Sequence, residues 1–110
     1  MSVNTVRRLC ELLRSFSPDF TLGQLQTLLE IVVHDDIPSQ TEIAERTGLP
    51  LVTVSRHCAN FGPVRKQYPK ALDFLRMVQA GGDDDRRQTV MTLTPKGKLV
   101  ATQIRSLLKD

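Results

Sequence analysis

Five charged residues stand together at Asp83-Asp84-Asp85-Arg86-Arg87, directly after Gly81-Gly82. A carboxylate beside a guanidinium orients the planar cation through paired hydrogen bonds and leaves its outer edge for an anion. The competing account is a solvated, self-neutralising turn. A second set of hydrogen-bonding side chains lies in "LPLVTVSRH", where Thr53, Ser55 and Arg56 follow Leu51 and Val52. Hydroxyls and a guanidinium at this spacing can bond phosphate oxygens or base edges. Other chemistry is poorly supplied. His34, Asp35 and Asp36 are adjacent in the chain and cannot all converge on one ion, so a helix end accounts for them better. Cys10 and Cys58 make no disulfide framework. Both are expected to be small packed apolar residues in a reducing compartment. There is no Gly-rich phosphate loop, nucleophile elbow or spaced metal-ligand cluster. No enzyme, no metal and no cofactor are expected.

The charge is unevenly spread. The net value is +3. Residues 1–48 carry four Lys/Arg against seven Asp/Glu, and residues 49–110 carry eleven against five. The halves are therefore −3 and +6, and the basic one holds both polar clusters. Such an asymmetry suits an anionic partner on that half, although solvated faces look similar. No apolar run is long enough to span a bilayer, and no leader pattern precedes a small-residue cleavage site. The expected location is the cytoplasm, with nucleoid association when DNA is bound.

The elements that must position these residues follow from periodicity and punctuation. Val3, Val6, Leu9, Leu12, Leu13 and Phe16 recur at helical spacing, and Ser17-Pro18 stops that helix. Thr21 with Gln24 forms a capping box for a second helix, with Leu22, Leu25, Leu28, Leu29 and Val32 as its stripe. Ile37 is expected to pair briefly as an edge strand before Pro38. Ser39 with Glu42 is a second capping box, and Ile43 and Ala44 face inward behind it. Gly48 takes the left-handed cap, and Pro50 sits where the next helix begins. That helix, about residues 51–61, turns Val54, Cys58 and Phe61 inward. Residues 62–73 show no clear period and hold Arg65, Lys66 and Lys70 against Asp73. Strand character runs from Phe74 to Gln79 and from Thr89 to Thr94, joined by the charged loop. Thr94 and Pro95 then open a last helix striped by Leu99, Val100, Ile104, Leu107 and Leu108.

Small Ala44, turn-forming Gly48, and apolar Leu49 and Val54 stand in the register that a helix-turn-helix requires. With the hairpin behind it, "QTEIAERTGLPLVTVSRHCANF" followed by "DDDRRQTVMTLTPKGKLV" resembles the MarR family of transcription regulators. The resemblance covers most of the chain. It is sharpest over residues 40–61 and 83–99, including the Leu-Thr-x-x-Gly element at Leu93–Gly97 and the Asp-x-Arg pattern at Asp85 and Arg87. It implies a mainly α fold with a small β-hairpin wing, a winged helix-turn-helix spanning residues 1–110 as one domain. It also implies a sequence-specific regulator of double-stranded DNA, with repression as the default.

In that reading the helix after Gly48 enters the major groove, where Leu51, Val52, Thr53, Ser55 and Arg56 are its candidate contacts, with His57 beside them. Gln40 and Thr41 open the preceding helix, where free amides favour a phosphate. The resemblance implies that Arg87, with Arg86 beside it, reaches the minor groove and that Asp85 holds the guanidinium. A narrow minor groove attracts such a cation. Arg65, Lys66 and Lys70 are candidates for extra phosphate contacts. Two departures stand out. The 62–73 segment is longer than the family's usual link, and the C-terminal region is short. Residues 1–17 and 95–110 must then supply a homodimer's contacts alone, and the shortness argues against a small-molecule effector pocket. Two other functions fit the same elements: a replication or mobile-element protein marking an array of sites, and a winged-helix protein-interaction module docking through the acidic half.

Overall fold

The first helix starts where a side chain can satisfy its orphan amides, and three of the other four follow the same logic. In the computed structural model, which describes residues 2–80 and 88–109, the order is α1 (Val3–Phe16), α2 (Leu22–Val32), α3 (Gln40–Thr47), α4 (Leu51–Phe61), β1 (Leu75–Ala80), β2 (Gln88–Leu93) and α5 (Pro95–Leu108). Ser2 accepts from the Thr5 amide at the head of α1. Reciprocal capping boxes, Thr21 with Gln24 and Ser39 with Glu42, open α2 and α3. Gly48 closes α3 at φ 77°, a left-handed conformation that glycine adopts without a Cβ penalty. The α4 helix begins after Pro50 with no side-chain cap.

The core lies where all five helices meet the base of the hairpin. Leu28, Ile31, Ile43, Val54, Phe61, Phe74, Leu75 and Ile104 are all buried there. An aromatic chain runs through it. Phe20 stacks on Phe61 with centroids 6.0 Å apart, Phe61 on Phe74 at 6.4 Å, and Phe16 meets Phe74 edge-on at 5.1 Å. Such pairs add to the stabilisation that area burial gives.

The hairpin pairs β1 and β2 antiparallel, from Leu75 opposite Leu93 to Ala80 opposite Gln88. Its base is tied to the end of α4 by main-chain bonds. The amides of Leu72, Asp73 and Phe74 donate to the carbonyls of Asn60, Gly62 and Phe61 at 2.8, 2.9 and 2.6 Å. These bonds give order to the segment whose sequence shows no period. Its middle is a tight turn in which Arg65 and Tyr68 exchange main-chain bonds. Asp73 sits at φ 61°, and its side chain pairs with Arg76.

Several expectations are corrected. Strand β1 runs one residue later at each end than expected, and β2 one residue earlier. Ile37 joins no strand and packs, half-buried, against the core; Pro38 beside it has no N–H to offer a ladder. The stripes expected of three helices are rotated. In α1 the buried residues are Thr5, Leu9 and Leu13, whereas Val3 and Val6 are exposed. In α2 Leu22 is 75% exposed, and Thr27 and Ile31 are buried instead. In α5 Leu99 is 68% exposed, while Gly97, Val100, Ala101 and Ile104 are buried. An apolar stripe wider than the core contact leaves its margin in solvent. Cys10 falls on that outer side of α1 and is exposed, against the expectation of a packed thiol. Cys58 is buried, as expected, and burial pushes its thiol up to about 12.

Candidate nucleic-acid interface

The start of α3, the start of α4 and the two strands surround an open groove of about 860 Å³. Its walls include Gln40 and Thr41 from α3, Leu51 and Ser55 from α4, and Met77, Val90 and Met91 from the hairpin. The turn at Gly48 sets this geometry, because it folds α4 back across α3. Ile43 and Val54, fully buried, lock the two helices together. The polar side chains of the groove, Ser39, Gln40, Thr41, Glu42 and Ser55, are therefore held by the two packed helices and the cap of α3, and the hairpin adds an apolar wall.

The candidate contacts divide into two groups. Leu51, Val52 and Arg56 are exposed on α4, with Leu51 at 48% and Val52 at 59%. They present two apolar side chains and one cation on the outer face of the helix. Thr53 and Ser55 are half-buried. Ser55 Oγ donates to Gln40 Oε1 at 2.6 Å, so two residues fifteen positions apart form one polar unit. His57 turns away from that face. Its Nδ1 lies 2.9 Å from Thr27 Oγ1, and the Thr27 hydroxyl also donates to the Gly23 carbonyl at 3.0 Å. With that hydrogen committed, His57 Nδ1–H is the donor to Thr27. Burial lowers the His57 pKa. His57 thus braces α4 on α2.

Electrostatics at the head of α3 are set by Glu42. The Ser39 backbone amide, first, and the Ser39 hydroxyl, second, hold its carboxyl below the usual range, and Arg46 adds to the effect. Arg46 also reaches Glu30 at 3.6 Å and His34 Nε2 at 3.0 Å. His34 belongs to this surface network, with Glu30 Oε1 at 3.2 Å.

Arg65 and Lys66, in the Arg65–Tyr68 turn, and Lys70 just after it are exposed beyond the C-terminal end of α4. About 15 Å of helix separates them from Leu51. They do not line the groove. The Arg65 guanidinium lies 5.9 Å from the Tyr68 ring centroid. Asp85, Arg86 and Arg87 lie outside the described residues. Met77 and Val90, both exposed, were missing from the expected contacts. Their signal is present in the paired strands "LRMVQA" and "QTVMTL", where apolar residues persist on a hairpin too small to have a core of its own.

Helix pair, left-handed turn, hairpin and returning helix occur in the expected order. The chain is similar to the crystal structure of transcriptional regulator PA3341, with 24% sequence identity, a TM-score of 0.66, and coverage of 96% of this chain and 66% of that one. The fold is a winged helix-turn-helix. The chain therefore spans about two thirds of the length of the regulator whose winged helix it shares. No protein-family model and no curated protein matches it by sequence. Among the described residues of this winged helix, no helix is long and apolar enough to cross a membrane.

Proposed function

We propose that this winged helix binds double-stranded DNA in a sequence-specific way and regulates transcription, with repression as its default. The observation that carries the proposal is the exposed outer face of α4. It presents Leu51, Val52 and Arg56, next to a groove that Leu51 and Ser55 line together with the start of α3 and the hairpin, on a half of the chain with a +6 balance. The likeness to a solved transcriptional regulator supports the same reading.

In this mechanism α4 enters the major groove. Arg56 bonds a guanine edge or a phosphate, and Leu51 and Val52 meet thymine methyls. Thr53 faces bases or phosphates at the margin, and Thr41 lies against the backbone at the head of α3. Arg87, with Arg86 beside it and Asp85 as its support, enters the flanking minor groove. Two copies join through α1 and α5, which pack together and leave Val3, Val6 and Leu99 exposed at their margin. A symmetric pair places two α4 helices on half-sites about one helical turn apart. Arg65, Lys66 and Lys70 touch phosphates only where DNA wraps toward the base of the hairpin. The site of action is the cytoplasm.

Selection from a random-sequence DNA pool at two salt concentrations tests this. The expected result is a palindrome with half-sites about 10 base pairs apart and affinity that falls steeply with salt. Binding without an enriched sequence would favour the replication or mobile-element function. No retention at either salt would overturn the DNA reading and favour a protein-interaction module. Arg87→Glu should weaken binding without lowering the melting temperature.

A further inference from the structure

Resting on that DNA-binding reading, we infer that Ser55 is a positioning residue: it turns the Gln40 side chain so that its amide nitrogen serves as a donor to a DNA backbone phosphate. The geometry is specific. Ser55 Oγ donates to Gln40 Oε1 at 2.6 Å, across the two helices of the pair. A serine hydroxyl has one hydrogen, and here it is spent on Gln40. Ser55 therefore does not donate to DNA in this arrangement. Its own role passes to the amide it holds.

The consequence for Gln40 is equally definite. Its carbonyl side faces α4, and its two N–H donors have no acceptor among the described residues. Gln40 lines the groove beside Thr41 and Leu51. An amide that reads adenine must offer its oxygen and its nitrogen together. Gln40, with the oxygen turned inward, offers donors alone. The first helix of a helix-turn-helix crosses the DNA backbone, and phosphate oxygens there are strong acceptors. Gln40 is a neutral phosphate contact with a preset orientation, and Ser55 supplies the orientation.

A double-mutant cycle tests this, read as affinity for the selected palindrome and for random duplex across a salt series. Gln40→Ala should lose about tenfold on both DNAs, the scale of a hydrogen bond to a charged group. The salt slope should not change, because no cation is removed. Ser55→Ala should lose roughly threefold on both, with base preference unchanged, as a freed amide must be ordered on binding. Ser55→Thr, which keeps the hydroxyl, should restore binding. Gln40→Glu still accepts from Ser55 but faces the phosphate with a charge, and should lose more than Gln40→Ala. In the Gln40→Ala background, Ser55→Ala should cost nothing further. Circular dichroism of each variant checks that the fold is kept.

Additive losses would overturn the inference, because the two residues would then act independently. A changed base preference at one operator position in Ser55→Ala would also overturn it, by making Ser55 a base reader. If the parent protein retains no DNA, both the inference and the reading beneath it fall, and that result is distinguishable because it needs no variant.

Discussion

Gly97 packs against the carbonyl of Phe74 so closely that a Cβ on Gly97 would overlap that oxygen. The Thr94 hydroxyl organises the same junction, donating to the Asp73 carbonyl at 2.7 Å and accepting from the Gly97 amide at 3.0 Å. This explains the Leu-Thr-x-x-Gly element physically. The threonine caps α5, and the glycine lets α5 approach the chain that leaves the core for the hairpin.

Gly97→Ala should therefore destabilise the fold by about 3 kcal/mol or more, since main chain must move to admit the methyl. Gly48→Ala is the control. A Cβ there meets nothing within 4 Å, and only the left-handed φ of 77° penalises it, at about 1 kcal/mol. Urea denaturation of both variants should rank them in that order. Equal losses would mean that the α5 junction is looser than this contact implies.

Stability should depend on pH through His57. Burial lowers its pKa, so the folded state resists a proton that the unfolded state accepts. Its contribution is complete above the ordinary histidine range of about 6.5 and is lost as pH falls through the lowered value. Melting temperatures from pH 8 to pH 5 should fall, and His57→Gln should flatten the change. A parallel curve for the variant would put the dependence elsewhere.

The two thiols should react very differently. Cys10 is exposed, whereas Cys58 is buried with its thiol pushed up to about 12. A thiol reagent at pH 8 should titrate one group in the native protein and two in denaturant. Cys10→Ser should abolish the native reaction. Fast modification of both in buffer would show that the core opens readily.

Arg105 caps α2 from a distance. Its Nε donates to the Val32 carbonyl at 2.5 Å and its Nη2 to the His34 carbonyl at 3.1 Å. Two carbonyls left unpaired at the end of a helix gain a charged donor fork. Arg105→Ala should cost about 1–2 kcal/mol, and Arg105→Lys should recover only part, having no planar fork. Full recovery by lysine in chemical denaturation would reduce the interaction to charge alone.

What the chain reveals before folding is what its neighbours in sequence decide. Ser39 with Glu42, Gly48, and Thr94 with Pro95 act within one turn of themselves, so their caps are legible. Ile43, Val54, Cys58 and Phe61 are legible because two short helices at a fixed turn have one way to pack. The face of α1 is not. Thr5 is buried ahead of Val3 and Val6, and a periodic stripe does not say which edge meets the core. Arg105 lies 73 positions from Val32, and the Ser55–Gln40 bond crosses two helices; no spacing rule connects either pair. Residues 62–73 take their order from main-chain bonds to Asn60, Phe61 and Gly62, which leave no mark on side-chain pattern.

Those three main-chain bonds also limit how the parts of the protein can move. They fasten the end of α4 to the root of the hairpin, so the helix and the hairpin base share one orientation. A signal that tilted one would carry the other with it. Under the proposed function, each copy then acts as a calliper jaw of set shape. In the proposed dimer the quantity left to adjust would be the gap between jaws, set at α1 and α5 rather than at any base pair.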